Sequence, residues 1–142
     1  MSELYARAVR LLARREHTRA ELARKLAAHG TAEEIAMVLN QLARAGLQSD
    51  ARFAESYVRS QADRLGTARL RQTLRSKGVD AALIEAQVAD LPDELERARA
   101  VWTRKFAALP ADAKEWARQA RFLQGRGFSA ETIRKLLKEI DA

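Results

Sequence analysis

Leu74-Arg75-Ser76-Lys77-Gly78-Val79-Asp80 is the stretch of sequence from which the fold can be read. A glycine four residues after a leucine, followed within two residues by a side-chain oxygen, spells the end of one helix and the start of the next. Glycine takes the left-handed backbone that closes a helix, and Asp, Ser or Thr accepts a hydrogen bond from the free N–H groups of the following turn. The same arrangement recurs at Leu26, Gly30 and Thr31 and at Leu123, Gly127 and Ser129, spaced 48 to 49 residues apart. Val79 and Phe128, which the first copy lacks, add an apolar contact behind the cap.

Sliding the chain on itself extends this register in both directions. Downstream of the caps, Ile35, Ile84 and Ile133 align, then Leu39, Val88 and Leu137, then Leu42, Leu91 and Ile140. These are i, i+4, i+7 positions, one apolar stripe per helix. Upstream, Tyr5, Phe53 and Trp102 align, as do Val9, Tyr57 and Phe106, so each repeat opens with a helix that carries a large anchor. The middle helices present Leu22 and Leu26, then Leu70 and Leu74, whereas Gln119 replaces a leucine in the third, with Trp116 and Phe122 expected to supply volume.

The punctuation predicts nine helices, near 3–16, 19–28, 32–45, 51–64, 68–77, 81–90, 94–107, 113–125 and 130–140. Thr18 with Glu21 and Thr31 with Glu34 have capping-box spacing, and Asp93 with Glu96 and Asp112 with Glu115 resemble it. Nothing reads as a strand. The fold class is therefore all-α: an elongated array of three tandem three-helix repeats, over residues 1–47, 48–91 and 92–142, stacked because units of this size are marginal alone. A bent rod is the expected shape.

Composition agrees. Of 142 residues, 47% are hydrophobic, and 29 of those are alanine, with only six valines and four isoleucines, a balance that favours helix over sheet. Twenty-six basic residues against 19 acidic give a net charge of +7, and 20 of the basic ones are arginine, the side chain suited to bidentate contact with phosphate or carboxylate. The absence of cysteine excludes disulfides, thiolate catalysis and cysteine-ligated metals. The charged N-terminus, Met1 to Arg10, and the five-residue limit on apolar runs argue against a signal peptide or membrane span, so a cytoplasmic protein without a membrane partner is expected.

Catalytic and metal-ligating groups are sparse. His17 and His29 are the only histidines and read as solvated or capping residues; no phosphate loop is present, and neither a cofactor nor a catalytic or metal residue is assigned. The basic residues share helix faces instead. Arg7, Arg10 and Arg14 follow i, i+3, i+7; Arg71 and Arg75 follow i, i+4 with Arg69 and Lys77 beside them; and Arg118 with Arg121 precede Arg126, with Arg134, Lys135 and Lys138 beyond. Repeated along stacked units, such faces would form a strip matched to a long anionic polymer.

Three segments, taken in order and spacing, resemble the RecX family of bacterial regulatory proteins. They are Leu11-Leu12-Ala13-Arg14-Arg15-Glu16-His17-Thr18 with Glu21-Leu22, Asp50-Ala51-Arg52-Phe53-Ala54 continuing through Tyr57-Val58-Arg59, Gly66, Leu70, Leu74 and Lys77-Gly78-Val79, and Arg121-Phe122-Leu123 with Arg126-Gly127-Phe128. Gln61 stands where many relatives carry arginine. The resemblance implies a non-enzymatic role in DNA repair and recombination and the SOS response. The chain would act as a monomer that binds the RecA recombinase filament, contacts its DNA phosphates and inhibits ATP hydrolysis and strand exchange. Charge clustering together with the family-like segments puts the contacts at Arg59, Arg69, Arg71, Arg75, Lys77, Arg118, Arg121 and Arg126. The rival reading is a helix-turn-helix DNA-binding regulator, which three helices and a glycine turn also describe.

Overall fold

A computed structural model describes residues 2–141, with side chains through Lys138, and contains nine helices and no strand among them. The helices are α1 (Glu3–Arg14), α2 (Arg19–Leu26), α3 (Ala32–Arg44), α4 (Asp50–Gln61), α5 (Thr67–Ser76), α6 (Ala81–Ala89), α7 (Glu94–Lys105), α8 (Ala113–Gly125) and α9 (Ala130–Asp141). Several end earlier than the sequence predicts. Arg15 and Phe106 turn to extended backbone and stop α1 and α7, and α4 closes at Gln61 rather than 64. Met1, and the side chain of Ile140 at the end of the third apolar stripe, lie outside the described residues.

Packing gathers the helices into two compact units, residues 1–57 with 74–85 and residues 58–73 with 86–142. In the first, Leu4, Ala8, Leu22, Leu26, Ile35, Val38, Leu39 and Leu42 form the core shared by α1, α2 and α3. Leu22, Leu26 and Leu42 are fully buried, each contributing roughly 1.5–3 kcal/mol of hydrophobic stabilisation. Both capping boxes form: Thr18 and Thr31 accept from the N–H groups of Glu21 and Glu34, whose carboxylates return the bond. In the second unit Ala98, Val101, Leu123, Phe128, Ile133, Leu136 and Leu137 build the core of α7, α8 and α9.

One joint occurs once in each unit. In the first, Gly78 has φ +87°, and the Gly78 and Val79 N–H groups donate to the carbonyls of Arg75 and Leu74, closing α5. This turn is pressed onto the start of α2: a Cβ on Gly78 would stand 2.5 Å from the Ala20 Cβ, and the Thr18 hydroxyl donates to the Lys77 carbonyl at 2.7 Å. In the second unit Gly127, at φ +94°, closes α8 in the same way and meets the start of α5. There the Gly66 N–H donates to the Arg126 carbonyl at 2.7 Å, and a Cβ on Gly127 would come within 2.8 Å of the Arg69 nitrogen. A carboxylate completes each joint: Asp50 accepts from the Arg19 N–H at 2.9 Å, and Glu94 from the Thr67 N–H at 3.1 Å. Both cap the positive end of a helix.

Four local expectations need correction. Gly30 does not adopt positive φ; its turn closes through the His29 N–H to the Leu26 carbonyl, without the extra apolar residue that follows the other two glycines. Asp93 makes no side-chain cap bond. Asp112 does cap α8 through the Glu115 N–H, but the Glu115 carboxylate turns to Arg118 instead of closing a box. Trp116 does not fill the space left by Gln119, because it is 40% exposed. Gln119 is itself buried and fully engaged, accepting from the Trp102 indole N–H at 2.8 Å and donating to the Ala108 carbonyl at 3.1 Å.

Gly127→Ala is expected to destabilise the protein by about 3 kcal/mol or more, since the new methyl meets backbone in an already unfavourable conformation. Gly46→Ala, also at positive φ (+74°) but with open space around it, should cost only about 1 kcal/mol. Urea unfolding of the two variants measures the difference, and equal losses would remove the steric account of the joint.

Candidate anion-binding surfaces

In the first unit Lys77 has a structural partner. Its ammonium lies 3.3 Å from the Glu21 carboxylate, which also receives the Thr18 N–H at 3.0 Å and Arg15 at 3.4 Å. Burial by itself would raise the Glu21 pKa, but the Thr18 N–H, Arg15 and Lys77 outweigh it and hold the carboxyl at about 2. His17 is buried rather than solvated: Nδ1 bonds the Arg15 carbonyl at 3.0 Å and Nε2 faces the Lys25 ammonium at 3.2 Å. Burial above all keeps its pKa below the usual histidine range. Arg75, by contrast, is exposed, and its side chain has no hydrogen-bond or ion-pair partner among the described residues.

The Asp50-Ala51-Arg52-Phe53 segment forms part of a joint. Asp50 caps α2 and accepts from Gln48 at 2.9 Å, while Arg52 donates to the carbonyls of Gly46 and Leu47 at 3.1 and 3.2 Å and pairs with Glu16. Phe53 is buried. Arg97 acts similarly in the second unit. Almost wholly buried, it donates to the carbonyls of Ala62 and Leu65 and to the Thr67 hydroxyl, stitching the end of α4 to the start of α5.

The remaining predicted contacts lie in the second unit and divide by role. Arg69 donates to the Gly125 carbonyl at 2.7 Å, beside the glycine joint. Arg118 pairs bidentately with Glu115, at 2.6 and 2.8 Å, and its guanidinium lies 5.2 Å from the centre of the Phe106 ring. Arg121 is exposed on α8, with no side-chain partner among the described residues. Arg59 is exposed at the end of α4 and Arg71 is half-buried on α5; both are engaged by partners. Arg126 lies over the Phe122 ring, 5.0 Å from its centre. There it borders a cleft of about 410 Å³ that also collects Arg64, Arg104 and Lys105, none of which the helix-face pattern singled out. Arg64 sits in a turn, and Arg104 and Lys105 close α7, so only folding gathers them. The one sequence signal was the adjacency of two cations at a helix C-terminus, which the helix dipole already explains.

Among the described residues, no group of three or more His, Cys, Asp or Glu is placed to hold a metal ion, and no helix is long and apolar enough to cross a membrane.

Three family models match in tandem: the first three-helix domain of RecX over residues 5–42, the second over 49–86 and the third over 92–137. The regulatory protein RecX of Leptothrix cholodnii is 51% identical over 140 residues, covering 97% of this chain and 89% of that one. That of Chromobacterium violaceum is 47% identical over 135 residues, covering 94% and 88%. The crystal structure of RecX from Lactobacillus salivarius shares the fold, with a TM-score of 0.81 at 24% identity over 98% of this chain and 95% of that one.

The Glu21 network makes stability depend on pH. With a folded pKa of about 2 against an ordinary value of 4.5, Glu21 contributes fully above pH 4.5, and up to about 3 kcal/mol is lost as pH falls towards 2. His17, also depressed when folded, adds an earlier loss that begins as pH drops below its ordinary 6.5. Urea midpoints measured from pH 8 to pH 2.5 should fall in both windows. Glu21→Gln should be less stable at neutral pH and flatter below 4.5; an unchanged acid slope would refute the assignment.

Proposed function

The chain belongs to the RecX family of regulatory proteins, and from that membership we propose that it binds the RecA–DNA filament and inhibits its ATPase and strand exchange. It would do so by lying in the filament groove or by blocking extension. The observation that carries this reading is the unbroken run of three RecX domain matches along one basic chain. The proposed action is non-enzymatic, and no cofactor enters it. The protein would work as a cytoplasmic monomer, with repeat limits at residues 1–47, 48–91 and 92–142.

The mechanism is multivalent. Each repeat makes a modest contact, and covalent linkage turns later contacts into intramolecular ones, so several weak contacts sum to tight binding. A filament that cycles between conformations is arrested by a ligand that prefers one of them. The proposed contact set is the eight cations named from the sequence, and Arg75 and Arg121 lead it because neither is committed to an internal partner. Arg69, Lys77 and Arg118 would act with charges already partly used within the fold. The helix-turn-helix alternative loses one of its two α3 amides, because the Asn40 side-chain carbonyl accepts from Arg19 at 2.9 Å, and keeps the exposed Gln41.

Purified protein is expected to lower the single-strand-dependent ATPase of RecA at stoichiometric or lower amounts. Unchanged turnover at saturation would exclude the filament reading. Arg75→Ala with Arg121→Ala should weaken inhibition about three- to tenfold while leaving the urea midpoint in place. Equal potency would show that these two arginines face away from the ligand.

A further inference from the structure

The cleft beside Phe122 gathers four cations with no carboxylate partner among the described residues. Several arginines and lysines elsewhere are paired with carboxylates: Arg10 with Glu3, Arg52 with Glu16, Arg118 with Glu115, Lys135 with Glu131. In the cleft, Arg64, Arg104, Lys105 and Arg126 make no ion pair with any described residue, although a carboxylate, Asp63, lies among them. Neutral groups hold all four. Arg64 donates to the Gln61 side-chain carbonyl at 2.8 Å, Arg104 to the Asp63 main-chain carbonyl, and Lys105 lies 5.2 Å from the centre of the Phe122 ring. Arg126 occupies the same ring at 5.0 Å.

These partners fix side-chain positions without cancelling charge. A cation over an aromatic face is held by the ring quadrupole and loses rotamer freedom before any ligand arrives, so less ordering remains to be done on binding. Four cations against one carboxylate leave a local positive excess that the fold itself does not neutralise. A monovalent ion cannot balance it, whereas a strand carrying one negative charge per nucleotide can. Three of the four are arginines, whose planar forks match phosphate oxygens. The volume, about 410 Å³, exceeds by an order of magnitude the roughly 30 Å³ share of one water, leaving room for a phosphodiester unit and bridging waters.

We propose that this cleft is a phosphate clamp that grips the sugar-phosphate backbone of a nucleic-acid strand, with Lys105 and Arg126 as the closing pair on Phe122. The proposal rests on the nucleoprotein reading above for the source of the strand, while the anion chemistry stands on the cleft alone. The clamp is expected to grip the strand chiefly through charge, since four cations gathered on one cleft suit the phosphates that every nucleotide carries.

The test uses the full chain without recombinase and a fluorescein-labelled oligothymidine as probe, with anisotropy titrated across salt concentrations. Lys105→Gln with Arg126→Gln should bind about tenfold more weakly at low salt and lower the slope of log K against log salt by about 1.4, the loss of two single-strand phosphate contacts. Arg24→Gln with Lys114→Gln removes the same charge outside the cleft and should leave the slope within about 0.3 of the parent. Unchanged affinity and slope in the cleft variant, with the fold intact by circular dichroism, would overturn the clamp, as would an equal loss in the control pair. Competition by oligoglutamate of matched charge as effective as that by unlabelled oligothymidine would also overturn it, in favour of an acidic peptide. Recombinase inhibition with an unaltered salt slope sinks the clamp alone; a clamp that behaves as described without inhibition sinks the filament reading alone.

Discussion

A left-handed glycine pressed against the first turn of another helix is the constraint on which the remaining architecture depends. At Gly78 and Gly127 the backbone must both reverse and come so near its neighbour that a Cβ would overlap Ala20 or Arg69. Close approach lets the carbonyl just before each glycine be taken up by the Thr18 hydroxyl or the Gly66 N–H, so helix ends that would otherwise need water satisfy one another. The apolar residue after each glycine, Val79 or Phe128, is then driven into the core. One backbone conformation thereby sets a helix end, a docking distance and a core contact together.

The joints also explain why so many charged residues are engaged within the fold. Asp50 and Glu94 are spent on helix N-termini, while Arg52, Arg69 and Arg97 are spent on carbonyls at the opposite ends. Short helices leave many unsatisfied backbone groups per residue, and long arginine side chains reach several of them at once. Arginine in this protein does two things: one set is spent on the fold's own carbonyls and carboxylates, and a second set is left uncompensated. Arg75 and Arg121 belong to the second kind, and so does the set around Phe122, where charge is steadied by carbonyls and an aromatic ring rather than cancelled.

How legible the site was follows from the same division. Helix-face spacing located Arg118 and Arg121 correctly on α8, yet it could not foresee that Glu115 would hold one and leave the other free. It passed over Arg64, Arg104 and Lys105, which share no helix face and meet where Arg97 and Arg104 tie the α4–α5 turn to α7. His17 read as a turn residue in water; in the fold Lys25 and the Arg15 carbonyl enclose it.

By itself the amino-acid sequence determined the all-helical class, the tandem order of three-helix domains, the two capping boxes and the glycine stops, because each depends on propensities and hydrogen bonds that span only a few residues. It determined the family as well, since the motifs that mark it are contiguous. Which cations remain uncompensated was decided only by tertiary structure. Electrostatic pairing depends on distances between side chains far apart in the chain, such as Lys77 from Glu21 or Arg126 from Lys105, and no local rule carries that information.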